Sequence, residues 1–274
     1  MHIRILIDNK SSGPLCPEWG LSVHVDYNGH QVLLDTGASP RFAKNAKDLG
    51  VDLSQVEFGV LSHGHYDHAN GMKSFFEANP TAKFYLRKGA EENCYHTHRI
   101  LFFNYQEYIG IKRGLLKRFA ERIVFVDGDY TVIPGVTLVP HKTDGLDEIG
   151  HRAHFAVKKN GRYVDDAFEH EQNLVFDTPK GLVVMNSCSH GGADNIVKEI
   201  EKTFPGKQIY ALLGGFHLFR TAKEDVEAFA RRLKDLGVEK IYTGHCTGDA
   251  AFQILKEILG ERVEQMFTGM EIEI

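Results

Sequence analysis

Cysteine is scarce in this chain. The four that occur, Cys16, Cys94, Cys188 and Cys246, lie far apart and form no CxxC pair. That spacing excludes a dense disulfide framework and points to a reducing compartment. Long apolar runs are missing too, and the opening MHIRILIDNKSSGP has no basic segment followed by an apolar one. Neither a signal peptide nor a membrane span is expected, so a soluble cytoplasmic protein is the default. Basic charge is not in excess: 32 Lys+Arg stand against 37 Asp+Glu, a net charge of −5. Broad adhesion to nucleic acid or anionic membrane is thereby disfavoured, and the Lys-Arg pairs at 112–113 and 117–118 are too local to change that. LLGGF carries glycines after an apolar run but neither GxGxxG nor a Walker A lysine, so it reads as a tight turn.

What remains is a chain of 274 residues, 42% hydrophobic, enough for a well-buried α/β core. IRILIDN and LSVHVDYNGHQVLLDTG read as strands, with a hairpin turn at Asn28-Gly29. SPRFAKNAKDLG reads as a helix capped by Ser39, started by Pro40 and ended by Gly50. EFGVLS is a short strand, GMKSFFEANP a helix and KFYLRKG a strand. ERIVFVD, TVIPGVTLVP, HFAVKKNGRYV and NLVFDTPKGLVVMN supply further strands. IVKEIEKTFPG and TAKEDVEAFARRLKDLG are helices, the second with a capping-box pattern at Thr221 and Glu224. Strand-rich halves with interspersed helices suggest two similar α/β layers packed sheet to sheet. Residues 1–274 read as a single domain carrying an aromatic and basic, partly helical cap-like excursion at about 91–122.

The chemistry concentrates in SHGHYDHANG, residues 62–71, directly after an apolar strand. His63 and His65, two apart, point the same way from an extended backbone. Gly64 adds no bulk between them, and Asp67 and His68 lie on the following turn. A polar surface loop is the competing reading. Four potential ligands within six residues are costly to pack unless a cation neutralises and coordinates them, and imidazole with carboxylate suits zinc, manganese or iron. Three later histidines sit where strands run into loops: His190 in VVMNSCSHGG, His217 in ALLGGFHLFR and His245 in IYTGHCTG. His190 and His245 are the candidate further ligands. His217 is equally a substrate-binding or supporting residue, and Cys188 is either a thiolate ligand or a buried structural cysteine.

His63, His65, Asp67 and His68, with VLLDTG at 32–37, resemble the metallo-β-lactamase superfamily. WGLSVHV, LLDTG, SHGHYDHANG, NSCSHGG, LGGFHL and GHCTG together resemble its 7,8-dihydropterin-6-methyl-4-(β-D-ribofuranosyl)aminobenzene 5′-phosphate synthase-like group. The resemblance implies a four-layer αβ/βα sandwich with the metals at one edge of the two sheets. It also implies one or two divalent ions, zinc foremost. His63, His65 and His190 would hold one, and Asp67, His68 and His245 the other. The bridging aspartate usual in the superfamily is missing, since GLVVMN is followed by SCSH. Asp35 would orient a ligating histidine from behind. Ser187, Ser189 and Gly191-Gly192 would place donors near the metals.

The same resemblance implies hydrolysis of a phosphate-bearing small molecule, with Asp67 orienting the base and His217 protonating the leaving group. Its alternative is transfer of the pterin, through its methylene, to an aminobenzene ribosyl phosphate, with the carbon–diphosphate bond breaking and diphosphate released. A noncatalytic binding protein is a lesser reading, and an iron redox enzyme lacks a flavin domain here. For a pterin, Tyr95, His96, His98, Phe102, Phe103, Tyr105 and Tyr108 would line the pocket, while Arg99, Lys112, Arg113, Lys117 and Arg118 would meet phosphate. The plainer alternative for that stretch is an aromatic core segment with a solvated basic face.

Overall fold

The computed structural model describes residues 1–100 and 103–274. Two seven-stranded sheets face each other. The first runs, edge to edge, through Glu271–Glu273, His2–Ile7, Ser22–Tyr27, His30–Leu34, Phe58–Val60, Lys83–Arg87 and Ile123–Val126. The second runs through Val263–Gln265, Lys240–Thr243, Ile209–Leu213, Gly181–Met185, Gln172–Thr178, Val136–Pro140 and Tyr130–Ile133.

Strand alternation explains the layering. Val32 and Leu34 face inward, where they join Val183, Met185 and Leu213 of the opposite sheet. Leu33 faces outward onto Phe42, Phe75 and Phe76 of the helices Arg41–Asp48 and Met72–Ala78. In the second sheet Leu182 and Val184 face outward onto the helices Ala193–Thr203, Lys223–Asp235 and Asp249–Leu259. Both faces of each central strand are therefore buried, which requires nearly continuous apolar runs. The result is the αβ/βα sandwich.

Two local expectations need correction. Thr221 and Glu224 form no capping box: the helix starts at Lys223 after Ala222, with no side-chain cap bond. The Thr221 amide instead closes a turn onto the Leu218 carbonyl. Ser39 lies two residues before its helix, which begins at Arg41 with Pro40 at the cap position; its hydroxyl accepts the Arg41 amide and donates to Glu18. Asn28 and Gly29 do make the hairpin turn, both with positive φ.

Cys94–Ile100 and Phe103–Tyr108 pair antiparallel, and Cys94–Ile100 also pairs with Phe155–Lys159, which in turn pairs with Arg162–Asp165, in a third, four-stranded antiparallel sheet. HFAVKKNGRYV therefore belongs to this cap and not to the sandwich. The cap is stitched to the histidine segment by backbone bonds: Tyr66 N–H to Ile109 O at 2.9 Å and Ile111 N–H to Gly64 O at 3.1 Å. No helix among the described residues is long and apolar enough to cross a membrane.

Candidate metal centre

Six segments deliver the polar groups, each where a sandwich strand ends. Asp8 and Asn9 follow His2–Ile7, Asp35 follows His30–Leu34, and Ser62 and His63 follow Phe58–Val60. Ser187 to His190 follow Gly181–Met185, His217 follows Ile209–Leu213, and His245 follows Lys240–Thr243. His30–Leu34 pairs in parallel with Phe58–Val60, and Gly181–Met185, Ile209–Leu213 and Lys240–Thr243 pair in parallel in turn. Their carboxyl ends therefore open on one edge, where loops are free to diverge from the packed strands.

Two groups of side chains meet there. The ligand atoms of His63, His65 and His190 lie within 4.8 Å of one another. Beside them, His68 Nε2 is 3.2 Å from His245 Nε2, and Asp67 Oδ2 is 3.6 and 3.4 Å from those two nitrogens. Cys188 lies between the groups, its Sγ 3.2 Å from His68 Nε2 and also clustered with His190 and His217. The His217 ring is 4.7 Å from His190.

Each of four imidazoles is held by its Nδ1. His68 Nδ1–H donates to Asp35 Oδ2 at 2.8 Å and His190 Nδ1–H to Glu171 Oε2 at 2.7 Å. Ser62 Oγ donates to Asp35 at 2.7 Å, so it receives the His63 Nδ1–H at 2.8 Å. Asn9 Nδ2 donates to the His245 carbonyl at 3.0 Å; this orients the amide so that Oδ1 accepts His245 Nδ1–H at 3.0 Å. The Nε2 lone pairs are thereby turned to the centre. Asp35, fully buried at φ +57°, also accepts the Ser62 amide and the Ser187 hydroxyl. Ser187 and Ser189 thus serve the framework: Ser189 donates to the Gly215 carbonyl. Nothing in the sequence marks Asn9 or Glu171: one follows the first strand and the other sits beside another strand, with no local spacing to signal a role.

His63 Nε2 and His65 Nε2 are buried without any hydrogen-bond partner. Each such orphan costs about 1–3 kcal/mol, which a coordinated cation would offset. Burial first, and then the neighbouring imidazoles, hold His63 and His65 well below the usual histidine range, so both rings are neutral, the form in which an imidazole can ligate a cation. For Asp67 burial acts upward, but His68 and His245 outweigh it and keep the carboxylate ionised. Burial pushes the Cys188 thiol well up. A second cluster, His65 with Cys94, Asp166 and His170, has comparable residue types. Here the His170 nitrogens are already satisfied: Nδ1 accepts the Gly64 amide at 3.2 Å and Nε2 donates to Asp166 at 2.9 Å. That cluster fits a structural network rather than a cation.

A cleft of about 980 Å³ opens onto the centre. Of the aromatic residues expected to line it, His96 and His98 do so. Tyr95 lies on the opposite face of the same strand, against Tyr108 and Tyr163, because side chains alternate there. Phe103 and Tyr105 are exposed on the neighbouring strand, and Phe102 lies outside the described residues. The expected phosphate contacts are likewise elsewhere: Arg113 stacks on Tyr108, Lys117 lines a different surface pocket, and none of Arg99, Lys112 and Arg118 lines the cleft. Its cationic side chains are Arg152, Arg220 and Arg232, and its rings include Trp19, Phe155 and Phe219.

A model of the metallo-beta-lactamase superfamily matches residues 20–157. The chain is 30% identical, over 94% of its length and 90% of the relative's, to the 7,8-dihydropterin-6-methyl-4-(beta-D-ribofuranosyl)-aminobenzene-5′-phosphate synthase of Methanocaldococcus jannaschii. Among solved structures, a metal-dependent hydrolase of the beta-lactamase superfamily is 33% identical with a TM-score of 0.84, covering 100% of this chain and 99% of that one. A diphosphatase of the PhnP family shares the fold at 15% identity and a TM-score of 0.57, covering 100% and 97%.

Proposed function

The chain belongs to the metallo-β-lactamase superfamily, and from that premise we propose a metal-dependent hydrolase that cleaves a phosphate-containing small molecule in the cleft. One observation carries the reading: buried, partnerless His63 Nε2 and His65 Nε2 face His190, beside a second trio of Asp67, His68 and His245. His63, His65 and His190 would hold one divalent cation and Asp67, His68 and His245 another. Cys188 would stand between them, where the superfamily's bridging carboxylate is absent. The nitrogen, oxygen and sulfur donors fit zinc, with manganese or iron as alternatives. When bound, such cations supply Lewis-acid activation of water and of phosphoryl oxygens.

The chain's own groups have distinct tasks. Asp35, Glu171, Asn9 and Ser62 keep the imidazoles in the ligating tautomer. Asp67, ionised, stabilises positive charge at the centre and orients the base. His217, at the cleft wall with Nδ1 unpartnered, donates a proton to the leaving oxygen as the phosphorus–oxygen bond breaks. Phe155, Trp19 and Phe219 exclude water from a flat substrate body.

A transferase reading is favoured by the relative named as a pterin synthase. In it the pterin methylene passes to an aminobenzene acceptor and diphosphate departs. Mass spectrometry of zinc-loaded protein given dihydropterin methyl diphosphate and the aminobenzene ribosyl phosphate separates the two. A coupled product establishes transfer; hydroxymethyl pterin alone establishes hydrolysis. Alanine at His65 or Asp67 should abolish turnover and tight zinc while the fold persists. Full zinc content in both variants would refute the centre.

A further inference from the structure

Beyond the histidine centre the cleft continues under the cap, and its far wall is basic. His96 comes from the strand Cys94–Ile100, Arg152 and His154 from the end of the helix Leu146–Ala153, and Arg220 from the loop after Ile209–Leu213. The His96 and His154 rings are 6.2 Å apart. Both present a buried Nδ1 with no hydrogen-bond partner. His154 adopts φ +61°, at a helix end where glycine is the usual residue. A histidine there accepts backbone strain in order to be present.

The acids along the cleft have partners of their own outside this group, although Glu107 also acts on His96. Glu107 pairs with His98 at 2.7 Å and Asp194 with Arg232 at 2.7 Å. Asp67 belongs to the metal centre, and Asp225 sits on the first turn of Lys223–Asp235. Among the described residues, neither Arg152 nor Arg220 takes part in an ion pair. Burial first, and then His98, His154 and Arg220, hold His96 below its usual range, with Glu107 acting the other way. Such a gathering is completed by an anion, which a guanidinium binds through charge-assisted hydrogen bonds.

One ring separates this wall from the metal centre. Phe155 lies 5.8 Å from His96 on one side, and 5.2, 5.0 and 5.3 Å from His65, His190 and His217 on the other. Trp19 and Phe219, in edge contact at 5.3 Å, line the cleft as well. A ligand with a flat body between two anionic ends matches that layout.

We infer that His96, His154, Arg152 and Arg220 form a second anion site, distinct from the metal centre, that holds a phosphomonoester group of the substrate while its body lies against Phe155. The inference rests on the reading of the cleft as a site for phosphate-bearing small molecules. It separates recognition of the substrate's far end from the bond-breaking end.

Trp19 is the single tryptophan of the chain and lines the cleft, so its fluorescence reports occupancy. Zinc-loaded protein is titrated with phenyl phosphate, and with phenol as the uncharged control. Arg220→Ala, on an exposed loop, should weaken phenyl phosphate about tenfold or more, the loss of one charged hydrogen bond. Arg220→Lys should recover part of that, and His154→Asn, which tolerates the same backbone conformation, should also weaken binding. Zinc content should stay unchanged in all three. His65→Ala protein, stripped of metal, should still bind phenyl phosphate in an Arg220-dependent way. No response in the wild type, equal affinity in Arg220→Ala and His154→Asn, or loss of all binding with the metal would each overturn the second site. The last two results would leave the metal-enzyme reading intact, which instead fails if His65→Ala and Asp67→Ala both keep full zinc.

Discussion

Replacing His141 with leucine tests how the structure supports His190 from behind. His141 bridges two buried carboxylates: Nε2 lies 2.9 Å from Glu171 Oε1 and Nδ1 3.1 Å from Glu199 Oε2, with all three side chains at most 5% exposed. Burial opposes a charge on this ring, but the hydrogen bonds and charges of both glutamates overcome it and lift its pKa to about 10. Leucine fills similar space without the cation and leaves two buried carboxylates facing each other. Breaking a buried ion pair costs about 3–5 kcal/mol. Glu199 keeps donors from the Lys142 amide and from the Thr143 amide and hydroxyl, and Glu171 keeps His190. The low end, about 3 kcal/mol, is therefore expected, or a fall of roughly 6–12 °C in Tm for a chain of this size. The sign of the pH dependence follows from a pKa raised above its ordinary value of 6.5. The stabilisation is complete below that value and lost as pH rises through about 10. Urea unfolding of chelator-treated wild type and His141→Leu from pH 6 upward should thus converge above the raised pKa. Equal midpoints at pH 6, or a gap that stays constant with pH, would refute the bridge as a charged one.

Three further outcomes are expected. Asn9→Ala removes the acceptor that fixes the His245 tautomer, and competitive chelator titration should show zinc affinity reduced about 10–100-fold; unchanged affinity counts against the tautomer argument. At Gly71 an added Cβ would sit 2.1 Å from the Thr36 carbonyl and 2.9 Å from the Phe42 ring. Gly71→Ala should therefore cost at least about 1–3 kcal/mol in thermal or urea unfolding, and a neutral result would contradict the packing of this loop. Cobalt-loaded wild type should show a sulfur-to-metal charge-transfer band that Cys188→Ser lacks. A band of equal strength in both would assign Cys188 to structure alone.

Local pattern carried much of the molecule. The alternating apolar runs reveal strands, the Asn28-Gly29 dipeptide a hairpin, and the unbroken LVVM and ALL runs strands buried on both faces. The HxHxDH spacing after a strand end marks the ligand candidates, because residues a few positions apart share one turn of backbone. The later histidines were legible only as strand ends, since nothing local says that three parallel strands will stop at the same edge. The cap is harder to read: HFAVKKNGRYV shows its strands, but the mixed aromatic and basic residues of 91–122 hide theirs, and nothing local says that these two distant stretches share one sheet. Alternation within Cys94–Ile100 then sent His96 and His98 to the cleft and Tyr95 away from it.

Most strands and helices of the sandwich, its layered class and the donor-rich segments are legible in the sequence, because they depend on neighbours in the chain. Only the folded chain places Asn9 against His245, Glu171 and His141 behind His190, and Arg220 on the same cleft as His96. Hydrogen bonds and charge contacts depend on distance in space, and the sandwich brings those residues together from strands that are remote in sequence.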